Sequence, residues 1–97
     1  KDRRILGEEG FISVIVVVDS GSGKVVAGPE IHARGFAEDD TVFDAVRPRI
    51  VDALSAAAGD GNADTYGLQQ IVRRTVGKWV SERYRRRPMI IPVVIEA

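Results

Sequence analysis

The sequence contains no cysteine, so disulfides and thiolate metal sites are excluded. Its one histidine, His32, is too few for a histidine-rich metal centre. Aromatic residues are scarce: three Phe, two Tyr and one Trp. No apolar run approaches the length of a membrane span, and no signal-peptide pattern opens the chain. These absences predict a soluble, cytoplasmic chain with no membrane partner. Formal net charge is zero, which hides an uneven spread. Residues 73–97 hold seven basic and two acidic residues, a net +5. Residues 1–72 hold seven basic and twelve acidic residues, a net −5. Such asymmetry fits contact with a polyanion, or two faces that attract each other within or between molecules. No internal repeat or low-complexity segment interrupts the chain.

What is present fits one domain. Ninety-seven residues bury roughly 60–65% of the unfolded surface, enough for one modest core. The first residue is Lys1, as expected of a piece of a longer protein, of tag removal or of processing. Residues 1–10 are charged and carry Gly7 and Gly10, as in a linker or N-terminal arm. Residues 11–97 form the single domain. Phe11 to Val18 is β-branched and almost wholly apolar, the pattern of a strand buried on both faces. "DSGSGK", Asp19 to Lys24, predicts a hairpin loop, and Val25 to Arg34 a second strand. Pro29 predicts an edge position or a bulge around Gly28-Pro29.

Asp39, Asp40 and Thr41 suit a helix N-terminus. Val42, Val46, Ile50 and Leu54 recur in phase across Pro48, which predicts one kinked helix; the competing expectation is a helix start near Arg47. Asp64 or Thr65 is the next cap. Leu68, Ile71, Val72, Thr75, Val76, Trp79, Val80 and Tyr84 draw one apolar stripe. Arg74, Lys78, Ser81 and Arg85 draw the opposite one, with Lys78–Glu82 and Glu82–Arg86 as helical pairs. Pro88 is expected to stop this helix, and Met89 to Glu96 to form the third strand. The predicted fold class is α+β, ordered β-β-α-α-β. Prolines 29 and 92 place strands two and three at the edges, giving sheet order 2-1-3 with both helices on one face.

Two helices on one face leave the other uncovered. Strand one shows Phe11, Ile15 and Val17 on one side and Ile12, Val14, Val16 and Val18 on the other. Strand three shows Met89, Ile91, Val93 and Ile95 against Ile90 and Val94. The face carrying Ile12, Val14, Val16, Val18, Ile90 and Val94 is expected to meet another protein surface, most simply a second copy. The competing expectation is that the N-terminal arm or the loop 58–63 folds over it.

No Ser/His/Asp or Cys/His constellation exists, so no catalytic residue and no metal ligand is expected within this chain. "SGSGKVV" superficially resembles a phosphate loop, yet Val25 follows the lysine and a strand follows that. His32 lies with Glu30 and Arg34 on the polar side of strand two and reads as a surface or cross-strand residue. Glu8, Glu9, Asp39 and Asp40 read as solvated or capping acids. Trp79 reads as core, with an indole N–H in need of one partner. Arg73, Arg74, Lys78, Arg85, Arg86 and Arg87 are the candidate phosphate contacts. The exposed aromatics that usually accompany single-strand binding are in short supply.

Three segments, "DRRILGEEGF", "GPEIHARGF" and "RRPMIIPVVIE", resemble the C-terminal domain of ribonuclease J, in the same order along essentially the whole chain. Each shows the family's pattern with only conservative departures. Eleven Arg against three Lys, with abundant Ala and Val, would suit a high-GC bacterium such as an actinobacterium. The resemblance implies a bacterial metal-dependent RNA-degrading parent of the metallo-β-lactamase superfamily with a β-CASP insert. That parent would act as a 5′→3′ exonuclease and as an endonuclease. Its zinc ligands and catalytic residues would lie in the preceding domains, because none of the family's His/Asp metal motifs occurs here. The implied partners are those domains and a second copy. The implied role is oligomerisation and support of full activity. The alternative is an accessory RNA-binding module built on the basic cluster 73–87.

Overall fold

The computed structural model describes residues 10–36, 40–59, 64–84 and 87–97. Three strands, β1 (Phe11–Val18), β2 (Val25–Arg34) and β3 (Met89–Glu96), form one sheet in the order β2-β1-β3. Two helices, α1 (Arg47–Gly59) and α2 (Thr65–Arg83), connect β2 to β3 and cover one sheet face. The expected α+β order, edge strands and single helical layer are all present.

The β1–β2 hairpin turns on Asp19. Its carboxylate accepts from the backbone N–H groups of Gly21 (3.0 Å) and Ser22 (2.7 Å), while its own N–H donates to Lys24 O (2.8 Å). This is an Asx-type turn, which is why the glycine-rich segment makes a hairpin. The Ser22 backbone N–H and then the Ser22 hydroxyl hold the Asp19 carboxyl below its usual range against an opposing desolvation effect, with a lesser contribution from the Gly21 N–H. The folded group thus titrates below the unfolded value of about 3.9. Its contribution is complete above that pH and fades as pH falls through the folded value. Asp19→Asn should therefore lower the urea midpoint at neutral pH, and the difference from wild type should vanish in acid.

β2 pairs antiparallel with β1 and carries register shifts between Val18 and Val17 and between Val17 and Ile15. The second skips the cis Gly28-Pro29 peptide, so the expected bulge lies there. β3 runs parallel to β1, with Phe11 opposite Met89 and Val17 opposite Ile95. Met89 N donates to Gly10 O and Ala97 N donates to Val18 O, so odd-numbered N–H groups point inward to β1. Pro92 has the other parity. Its missing N–H falls on the free side of the edge, the place where an edge tolerates proline.

Pro48 does not kink a longer helix. A 3-10 helix runs over Asp40–Ala45, and α1 begins separately at Arg47, with Ile50 N donating to Val46 O (3.0 Å). Pro48 occupies the first turn, where its absent N–H has no intrahelical partner to lose. Val42 and Val46 keep their phase with Ile50 because both pieces lie on the same core. Arg47 ties the junction down: its guanidinium donates to Pro29 O at the bulge and to Asp44 Oδ1 (3.4 Å).

α2 starts at the predicted Asp64 cap, whose side chain accepts from Gly67 N (3.2 Å). It ends at Arg83, well before Pro88. Tyr84 turns extended (φ −132°, ψ 151°) and sets its ring against Phe36 (5.0 Å) and Trp79 (5.7 Å). Phe43 lies 5.8 Å from Trp79 and 6.2 Å from Phe36, closing an aromatic end to the core. The helix thus ends where Tyr84 packs into the aromatic cluster, four residues before Pro88. The expected place of Arg85 on the exposed stripe, and the Glu82–Arg86 pair, fall on Arg85 and Arg86, which lie outside the described residues. Trp79 is core as expected, but its indole N–H is buried without a partner.

Candidate functional site

Two surfaces remain once the core is closed. The first is the uncovered sheet face, whose composition corrects the sequence expectation. Ile12, Val14, Val16 and Val18 are fully buried beneath the helices, with Val94 beside them and Ile90 packed against the same cluster. These six residues face α1 and α2 and are not available to a partner. The uncovered face carries the other parity. On β3 it exposes Met89 (45%), Ile91 (39%), Val93 (37%) and Ile95 (47%). The parallel register sets them beside Phe11, Ser13, Ile15 and Val17 of β1. The result is an apolar stripe two strands wide.

β2 borders this stripe with charge. Arg34, His32 and Glu30 pair with Phe11, Ser13 and Ile15 and therefore share the open face. His32 donates from Nε2 to Glu30 Oε1 at 2.7 Å, both groups exposed. His32 is thus the surface residue its strand position implies. An apolar centre with a polar rim is the anatomy of a protein contact surface. The arm 1–9 and loop residues 60–63 that the sequence offers as cover lie outside the described residues.

The second surface is a basic groove between α2 and the start of β3. Two adjoining hollows of about 530 and 580 Å³ share Arg73, Arg87, Pro88 and Ile90. Arg74 and Lys78 line the first, and Met89 and Pro92 the second. Four of the six candidate phosphate contacts, Arg73, Arg74, Lys78 and Arg87, therefore come together. Arg85 and Arg86 lie outside the described residues. The predicted pairing of Lys78 with Glu82 does not form. Arg49 of α1 reaches Glu82 Oε1 at 3.1 Å and turns that carboxylate toward the other helix. Among the described residues, neither hollow is lined by an acid or an aromatic side chain. Among the described residues, no group of three or more His, Asp or Glu side chains is placed to hold a metal ion. No described helix is long and apolar enough to cross a membrane.

A sheet with helices on one face, an apolar stripe on the other and a basic groove beside it defines a small α+β domain whose features are contact surfaces. The profile of the Ribonuclease J C-terminal domain matches residues 1–97, and the chain belongs to that family. It is 44% identical over 93 residues to the Ribonuclease J of Mycolicibacterium smegmatis, covering 96% of this chain and 17% of that protein. The Ribonuclease J of Mycobacterium tuberculosis is 43% identical over the same share of each chain. Ribonuclease J2 of Bacillus subtilis is 29% identical over 99 residues, covering 99% of this chain and 18% of the relative. The chain thus spans about a sixth of the length of these relatives. The higher similarity to mycobacterial proteins agrees with the arginine-rich, actinobacterial composition.

Proposed function

We propose that this chain is the non-catalytic assembly domain of a bacterial ribonuclease J, a cytoplasmic 5′→3′ exoribonuclease and endoribonuclease of RNA processing and decay. Its open sheet face joins a second copy, and its neighbours within the parent are the metallo-β-lactamase and β-CASP domains. Zinc belongs to those domains; the described residues here do not assemble a donor set for it. The carrying observation is the row Met89, Ile91, Val93 and Ile95, four large apolar side chains exposed in a row on one face of β3.

Pro92 supports face packing over edge pairing, because the free edge of β3 lacks its central donor. A stable dimer buries about 800 Å² on each partner, so the contact must extend over β1 to the charged rim of β2. Sedimentation of this chain at high micromolar concentration should show a dimer. Ile91→Asp with Val93→Lys should give a monomer with little change in melting temperature, because both side chains are already partly in water. A monomeric wild-type chain would overturn the reading. In the parent, deletion of this segment should reduce oligomer size and activity while leaving bound metal unchanged.

A further inference from the structure

The groove between α2 and the start of β3 has features that the assembly reading does not use. Arg73, Arg74 and Lys78 project from successive turns of one helix, and Arg87 enters from the segment before β3. Arg73, Arg74 and Lys78 are exposed and form no ion pair with any described residue. Glu82, the nearest acid in sequence, is held by Arg49. Like charges gathered this closely repel one another unless an anion sits among them. From Arg74 to Lys78 the helix rises about 6 Å, a step that lets neighbouring cations meet successive charges of an extended polyanion.

The floor of the groove sets the shape of its ligand. Gly77 has no side chain there, and a β-carbon at that position would sit 3.6 Å from Ile90 Cδ1. Both hollows are shallow and open, suited to a strand lying across them and not to an enclosed small molecule. No aromatic side chain among the described residues lines them, so those residues give bases no platform to stack on.

We propose that this groove binds the phosphodiester backbone of single-stranded RNA by charge, without reading bases. The choice of RNA over other polyanions rests on the RNA-degrading parent proposed above. The test is fluorescence anisotropy of end-labelled oligouridylate with this 97-residue chain across a potassium chloride series. The three cations Arg73, Arg74 and Lys78 on a single strand predict a slope of log K against log salt of about −2. Arg73→Gln/Arg74→Gln/Lys78→Gln should weaken binding at least tenfold at low salt and make the slope shallower by about two. Oligoadenylate should bind within about threefold of oligouridylate, since stacking contributes little here. Lys24→Gln, in the hairpin turn, should change nothing, and thermal melts should match across the variants. Absence of binding at the lowest salt would overturn the proposal. So would an unchanged slope in the triple variant. Displacement by polyglutamate as efficient as by RNA would reassign the groove to an acidic protein. The oligomeric state of the same samples reports separately on the assembly reading, because these three residues lie off the open sheet face.

Discussion

Gly10→Ala is expected to destabilise the fold by about 3 kcal/mol or more, a large share of the roughly 5–10 kcal/mol available to a domain of this size. Gly10 has φ +79°, where an L side chain already costs about 1–3 kcal/mol. A β-carbon there would stand 2.3 Å from Arg34 O, 2.6 Å from Gly35 C and 2.8 Å from Gly35 O. All three atoms are backbone, so no rotamer change relieves the overlap. The displaced strands would be β1 and the end of β2. β3 would follow, because Met89 N donates to Gly10 O. At about 4–8 °C per kcal/mol, the melting temperature should fall by more than about 12 °C. Gly59→Ala is the control. Nothing lies within 4 Å of its added carbon, and it should change stability by less than about 0.5 kcal/mol. Equal effects at the two positions would mean that the contact at Gly10 is not what requires glycine.

Gly10 also marks where the sequence was easy to read and where it was not. Proline placed the strands: Pro29 and Pro92 exclude β2 and β3 from the centre, and the sheet order is β2-β1-β3. The hairpin turn, the bulge and the Asp64 cap were likewise local, each carried by one or two residues. The covered face of β1 was not local. "FISVIVVV" is apolar on both parities, with Ser13 the one polar residue to tell them apart. The informative signal lay across the hairpin, in Glu30, His32 and Arg34. A single bulge, counted from the turn, aligns them with the even residues of β1. Each one-residue shift exchanges the faces. The hairpin contains two, so the charged residues stand opposite Phe11, Ser13 and Ile15 after all. The second shift has no separate signature in the sequence, so the residues of β1 and β3 alone do not show which parity the helices cover. The end of α2 is non-local in the same way. Tyr84 leaves the helix to meet Phe36, a contact across 48 residues that no helical period records.

The basic groove follows from that early helix end. Had α2 continued to Pro88, the arginine run would have extended its solvent stripe. α2 instead ends at Arg83, and Arg87 lines one hollow together with Arg73, Pro88 and Ile90. Glu82 is drawn off to α1 at the same end of the helix. This ion pair is exposed on both sides and contributes little stability, on the order of 0–1 kcal/mol. Its consequence is positional: it directs the carboxylate toward α1. The apolar face and the basic groove meet along β3, since Met89 and Ile91 line the lower hollow and also belong to the open stripe. A second copy seated on the stripe would leave Arg74 and Lys78 on α2 outside the contact. Assembly and strand binding are thus compatible on one small domain.

Trp79→Ala should cost about 3–5 kcal/mol, and Trp79→Phe should fall within about 1 kcal/mol of wild type. Trp79 is almost fully buried between Phe43 and Tyr84, so truncation to alanine opens a cavity at the aromatic end of the core. The loss combines the transfer of the ring with the cavity left behind. Phenylalanine keeps most of that packing and also removes the indole N–H, which is buried with no hydrogen-bond partner. An unsatisfied buried donor costs about 1–3 kcal/mol, comparable with the volume lost in shortening the ring. The two terms oppose each other, which is why the phenylalanine variant stays near wild type. Urea unfolding should be followed by far-ultraviolet circular dichroism, because both substitutions remove the chain's one tryptophan. A cost above about 3 kcal/mol for Trp79→Phe would mean that the N–H is satisfied in solution, and that the ring's position is set by that bond as well as by packing.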